Sequence, residues 1–238
     1  MDTTNFVDKA QVKMIAHRGV SALEKENTLP AFLLACERSY YGIETDVRAT
    51  KDGQFVLFHD DDLQRCFGID RRVDECDFAY LRSLRYEVEG LRREDLFIPT
   101  PKEYFDLCKQ YDKHAIFELK PGLTVAQVEE LRSLIEGWGW LQNTTFISFD
   151  FALLVELKKR YPTAQAYYLA GEIAKETEEQ MVALGIHADV YHLTLSKERV
   201  KDYQAKGILL NCWTVDEVER AKTLKEWGVD FITSNRLE

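Results

Sequence analysis

Residues 42–60 read GIETDVRATKDGQFVLFHD. Side chains alternate along a strand, so Ile43, Thr45 and Val47 share one face while Glu44 and Asp46 share the other. The first set suits a face covered by helices. The two acids then point to the opposite side, toward the interior. Carboxylates buried without a compensating charge are very costly, so the pattern demands a cation nearby. Asp52-Gly53 is a turn signal, which makes residues 55–58 either a hairpin return or an adjacent short strand.

Working outward, short apolar or β-branched runs alternate with longer segments of helical period. The runs predict strands at 12–17, 42–47, 55–58, 115–119, 144–148, 164–169, 187–193, 208–213 and 229–233. Helices are predicted at 28–39, 100–111, 124–137, 150–160, 174–184, 196–205 and 215–227, with Thr28, Asp150, Ser196 and Thr214 as N-caps. Such alternation implies parallel strands joined by crossover helices. With 55–58 set aside, eight strands remain. Eight units in 238 residues fit a single (β/α)8 barrel, a fold that typically takes ~250 residues. A doubly wound open sheet is the alternative, but no G-x-G-x-x-G follows the first strand. Residues 60–99 break the alternation and read as a small inserted region after the second strand. With no internal repeat or low-complexity linker, the chain reads as one domain.

Composition narrows the function. Hydrophobic residues make up 45% and charged residues 30%, and the formal net charge is −10. That balance disfavours nucleic-acid backbones and anionic membranes, both of which need a basic face. No stretch approaches the ~18 apolar residues of a membrane span. The N-terminal MDTTNFVDKAQ lacks the cationic start and apolar centre of a signal peptide. Five cysteines without C-x-x-C spacing suggest reduced thiols and a cytoplasmic protein. The sequence carries no signal for oligomeric state.

Four polar clusters fall at or near predicted strand ends, where a barrel carries its active face: His17-Arg18, Glu44-x-Asp46, His59-Asp60 and Glu118-x-Lys120. AIFELK repeats the alternation of residues 42–47, with Phe117 and Leu119 toward the helices and Glu118 and Lys120 inward. Three inward carboxylates suit one hard divalent cation, Mg²⁺ or Ca²⁺. They equally suit a buried ion-pair network with Arg18 and Lys120. His17 and His59 each follow an apolar run and could supply a general acid and a general base, or be ordinary rim residues. His114, His187 and His192 lack inward acids beside them and read as structural. Ser148 reads as a wall or cap residue, since no G-x-S-x-G surrounds it. Trp213, at another strand end, suits either rim packing or a small apolar or polyol group.

These motifs, taken in order, resemble the glycerophosphodiester phosphodiesterase family. IAHRG resembles its opening motif, KENTLPAFLLA its second loop, and GIETDVRATKDGQFVLFHDDDLQR its metal and second-histidine block. FELK, ISFDFALLVELKKRYP, LLNCWTVD and WGVDFITSN match the later landmarks. The resemblance implies a (β/α)8 barrel that hydrolyses glycerophosphodiesters to glycerol 3-phosphate and an alcohol. It implies Glu44, Asp46 and Glu118 as metal ligands and His17 and His59 as the acid–base pair. Arg18 and Lys120 would contact phosphate, Trp213 would wall the glycerol, and Glu26 and Asn27 fit the second loop. Lys25 stands where the family usually has proline, and Asp216 where asparagine is common after W-T-V. Lysophospholipids are a further substrate class the resemblance admits. Two other readings use the same scaffold: a glycosidase with Glu44 and Glu118 as its carboxyl pair, which leaves the histidines idle, and a catalytically silent binding protein, which would ordinarily have lost some of these residues.

Overall fold

Eight parallel strands close on themselves in the computed structural model, which describes residues 12–238. They are β1 (Lys13–Ala16), β2 (Gly42–Ala49), β6 (His114–Leu119), β7 (Thr144–Ser148), β8 (Gln165–Ala170), β9 (His187–Tyr191), β10 (Leu210–Trp213) and β11 (Phe231–Ser234). Closure is visible at β1. It pairs with β11 from Lys13↔Phe231 to Ala16↔Ser234, and with β2 at Ile15↔Gly42 and Ala16↔Ile43. Residues 55–57 form β3 (Phe55–Leu57), a hairpin return antiparallel to the end of β2. The inserted region therefore follows this return strand rather than the second barrel strand directly. The N-terminal stretch read against a signal peptide lies outside the described residues.

Seven helices cover the barrel: α1 (Leu29–Cys36), α4 (Pro101–Gln110), α5 (Val125–Gly137), α6 (Phe151–Arg160), α7 (Lys175–Leu184), α8 (Lys197–Ala205) and α9 (Val218–Trp227). The Thr28, Asp150 and Ser196 side chains cap their helices as expected, and Thr100 and Thr124 add full capping boxes. Thr214 does not cap α9. That helix starts at Val218, with Glu217 as its cap residue. Tertiary bonds hold the intervening residues extended: Val215 N–H donates to Thr233 O, and the Asp216 carboxylate accepts from Ser234 and Asn235.

Strand alternation divides the core in two. Ile43, Val47, Phe117 and Leu119 pack outward in the cluster that includes Phe32, Tyr104 and Phe105 of α1 and α4. Ile15, Ile116, Ile147, Tyr167 and Leu169 form an apolar layer inside the barrel. At Gly42 a Cβ would meet the His114 carbonyl oxygen at 2.7 Å, so the approach of β2 to β6 requires glycine there. The insertion carries α2 (Gln64–Phe67), α3 (Phe78–Ser83) and the hairpin β4 (Glu87–Val88) and β5 (Leu91–Arg92). It has its own apolar cluster, centred on Phe58, Leu63, Leu81, Tyr86 and Ile98. No helix among the described residues is long and apolar enough to cross a membrane.

Candidate active site

The strands all point their C-terminal ends to one mouth, and the four polar clusters meet there. A cavity of ≈ 90 Å³ is lined by His17, Arg18, Glu44, His59, Glu118 and Trp213, with Phe149 and Thr233 among its other walls. Glu44, Glu118, Trp213 and Thr233 are delivered by the alternation that fills the barrel, as Ile116 and Glu118 share a face of β6, while His17, Arg18, His59 and Phe149 follow just after strands.

The carboxylates form the floor. One oxygen each of Glu44, Asp46 and Glu118 can be chosen so that all lie within 4.8 Å of one another, and all three residues are buried. Asp46 Oδ1 and Glu118 Oε1 are buried with no aligned hydrogen-bond donor. Lys120 Nζ lies 3.3 Å and 2.8 Å from these two atoms, within ion-pair distance. Burial and the neighbouring Asp46 charge push the Glu118 carboxyl up to about 8 and lift Glu44 well above the usual range. Burial would raise Asp46 too, but the ammonium of Lys120 and the guanidinium of Arg18 outweigh it and hold that carboxyl below the usual range. Three hard oxygen donors at this spacing, two of them lacking an aligned donor, fit a divalent cation.

Arg18 and Asn27 bracket the loop after β1, and both adopt left-handed backbone conformations, φ 54° and 52°. Such conformations are strained for residues other than glycine and persist where surrounding contacts over-determine them. Here the contacts are to the floor. Arg18 N–H donates to Glu44 Oε2 at 2.8 Å, and Asn27 Nδ2 donates to Asp46 Oδ2 at 2.7 Å. Arg18 Nη1 donates to Glu26 at 3.0 Å, and its buried Nε, which lacks a hydrogen-bond partner, stands 3.5 Å from Asp46. Lys25 extends its ammonium over the Tyr86 ring of the insertion, 5.1 Å from the centroid.

Both histidines are held through Nδ1. That atom of His17 lies 2.8 Å from Asn235 Oδ1, and that of His59 lies 2.6 Å from Asp60 Oδ1. Burial, reinforced by Arg18, depresses His17 to about 4. Burial also lowers His59, with Lys120 and Arg18 adding to it and Asp46 and Asp60 opposing. The His59 loop is fastened twice. Arg48 forks onto the His59 carbonyl at 3.1 and 2.7 Å, and Arg65 of α2 bridges Asp60 to Glu26, with 2.6 Å contacts to each.

Two expected residues sit differently from the rest. Lys120 is 6% exposed, stands behind the carboxylates and lines an adjoining cavity of ≈ 160 Å³ together with Arg48 and Arg72. Trp213 is on the wall, donating through Nε1 to Asp189 O at 3.3 Å and packing edge-on against Phe149. Arg48, Arg65 and Asn235 escaped the sequence reading as parts of the site. Asn235 was legible in principle, since Phe231, Thr233 and Asn235 continue one face of β11.

A model of the Glycerophosphoryl diester phosphodiesterase family matches residues 17–238. A glycerophosphodiester phosphodiesterase of Caldanaerobacter subterraneus subsp. tengcongensis is 29% identical over 228 residues, covering 93% of each chain. One from Bacillus altitudinis is 27% identical, covering 92% of this chain and 93% of its own. The structure of an Oleispira antarctica phosphodiesterase in complex with the product sn-glycerol-3-phosphate superposes with TM-score 0.84 at 26% identity, covering 97% of this chain and 96% of that one. With the barrel, the carboxylate floor and a family match spanning nearly the whole length, the chain belongs to the glycerophosphoryl diester phosphodiesterase family and is an enzyme of the phosphodiesterase class.

Proposed function

We propose that this protein hydrolyses glycerophosphodiesters to glycerol 3-phosphate and an alcohol at the C-terminal mouth of its barrel, with one divalent cation, Mg²⁺ or Ca²⁺. The whole chain, insertion included, acts as one catalytic unit. The observation that carries the reading is the trio of buried carboxylates with two histidines beside it, each engaged through Nδ1 and so leaving Nε2 for the reaction. The product complex of the Oleispira antarctica relative supports the substrate class.

Glu44, Asp46 and Glu118 would hold the cation, which when bound supplies charge neutralisation for the phosphodiester. Arg18 aims its guanidinium at the same charge. Lys120, ion-paired with Asp46 and Glu118, would add positive charge on the phosphate side of the carboxylates. His17 and His59 form the acid–base pair: one takes the proton of the attacking oxygen and the other returns a proton to the leaving alkoxide. Trp213 walls the glycerol side, with its indole fixed by Asp189 and Phe149.

The attacking oxygen is the glycerol 2-hydroxyl, which gives a cyclic phosphate that water then opens. An internal hydroxyl held close to phosphorus has an effective concentration far above that of a diffusing nucleophile. The test is turnover of glycerophosphocholine, its loss on chelation and its return with Mg²⁺ or Ca²⁺. Activity that persists after thorough chelation removes the metal from the proposal. A 2-deoxy substrate turned over as fast as the normal one removes the internal attack and leaves water.

A further inference from the structure

We infer that Asp216, which lines none of the cavities described above, is a positioning residue that fixes which nitrogen of His17 carries the proton, acting through Asn235. The inference rests on the acid–base assignment of His17.

A carboxylate accepts hydrogen bonds and donates none, so Asp216 dictates the orientation of everything bonded to it. Its Oδ1 takes the Asn235 backbone N–H at 2.8 Å and the Ser234 hydroxyl at 2.9 Å. Its Oδ2 takes the Asn235 amide nitrogen at 2.6 Å. The two ends of an asparagine amide are ordinarily interchangeable. Here Asp216 removes the choice, because the amide nitrogen must face it. The amide oxygen consequently faces the other way, 2.8 Å from His17 Nδ1, where it also accepts from the Ser21 hydroxyl at 2.7 Å. An amide oxygen cannot donate, so Nδ1 of His17 carries the proton. Nε2 is then the atom presented to the site, 3.9 Å from Glu44 Oε2. His59 reaches the same arrangement by a different route, through the carboxylate of Asp60. The position singled out in the sequence as unusual for its aspartate is thus the origin of a one-way chain, Asp216 to Asn235 to His17.

The chain can be inverted without changing its volume. In Asp216→Asn the remaining oxygen still serves the Asn235 N–H and the Ser234 hydroxyl, so the new NH₂ stands where Oδ2 stood. Asn235 must then turn its oxygen toward that group and its nitrogen toward His17. The proton is driven to Nε2. Adding Asn235→Asp restores an acceptor beside Nδ1 and also accepts from the new amide, so the double variant D216N/N235D returns the original tautomer.

The experiment uses the full chain, labelled with ¹⁵N-histidine, with the divalent cation of the assay present. For D216N we expect the His17 Nδ1 and Nε2 resonances to exchange character. We expect kcat on glycerophosphocholine to fall by about 10–100-fold, the range for loss of groups that orient site residues, with KM changed by less than about threefold. The double variant should recover both the tautomer and most of kcat. D216N with the proton still on Nδ1, or a double variant that fails to recover it, overturns the inference. Exchanged tautomers with unchanged kcat also overturn it if His17→Ala abolishes turnover. If His17→Ala retains turnover, the acid–base reading of His17 is what fails, and the tautomer measurement still decides the positioning role.

Discussion

Where the barrel strands end, His17, Glu44, Glu118 and Trp213 surround a cavity of ≈ 90 Å³, with the buried Asp46 beside them. Where they begin, Lys13, His114, Thr145, Gln165 and Phe231 line a larger cavity of ≈ 310 Å³. The larger mouth is internally satisfied. His114 Nε2 pairs with the Thr145 hydroxyl at 2.9 Å and its ring stacks on Tyr41, while Lys13 Nζ sits 4.3 Å above the same tyrosine. The smaller mouth is not. Oxygens of Asp46 and Glu118 and the Nε of Arg18 are buried without hydrogen-bond partners. On the proposed reading, then, volume does not mark the reacting end of this barrel. Charge fixed in place and left incompletely answered does, because such groups stabilise a charged transition state without reorganising.

The sharpest way to break the contrast is to disarm the charged floor. Glu44→Ala or Asp46→Ala should lower turnover by about 10³-fold and weaken divalent-cation binding in calorimetry. Wild-type turnover from either variant would show that the floor is only an ion-pair network. Next come the histidines. His17→Ala and His59→Ala should each cost ~10²–10⁴ in kcat, whereas His114→Ala, at the opposite mouth, should change kcat less than about twofold. A His114 effect as large as that of His17 would erase the distinction between the two ends. A smaller loss is expected on Arg65→Met, about tenfold in kcat, since it frees Asp60 and Glu26 together while touching no expected substrate group. Arg72→Met, on the same insertion but paired with Asp61 and Asp74 at the surface, is the control and should leave kcat unchanged.

The smallest effect belongs to stability. Burial depresses His114 to about 4, below its ordinary 6.5. The unfolded chain therefore binds this proton where the folded one does not. Stability falls as pH drops through 6.5 toward 4, and is fully present above 6.5. His114→Gln should remove about 1 kcal/mol of the difference in unfolding free energy between pH 7 and pH 5, after allowance for the partial exposure of the ring. Equal slopes for the variant and the parent would show that this histidine titrates normally.

Much of the fold was legible because it follows from two periods. The alternation in GIETDV and AIFELK sets which residues enter the barrel, and the 3.6-residue period with Thr and Ser caps sets the helices. What could not be read depended on partners distant in sequence. Thr214 looked like a cap, but Val215 and Asp216 bond to Thr233, Ser234 and Asn235, and these bonds delay α9. Lys120 alternates inward as expected, and its pairing with Asp46 and Glu118 matches the ion-pair network that the sequence left open beside the metal reading. Arg65 lies in a four-residue helix of an insertion with no regular period, and its role appears only when Glu26 and Asp60 are brought to either side of it.

The bond from His17 to Asn235 joins residues 218 apart in sequence, across the junction of β1 and β11. Closing so long a loop costs conformational entropy before the contact can reward it, so contacts of such separation form slowly. The imidazole is oriented only once the last strand has docked beside the first. A chain whose sheet is still open at this seam leaves its first histidine without its Asn235 partner. Recovery of turnover during refolding should consequently lag recovery of helical signal, and the lag times the joining of the ring.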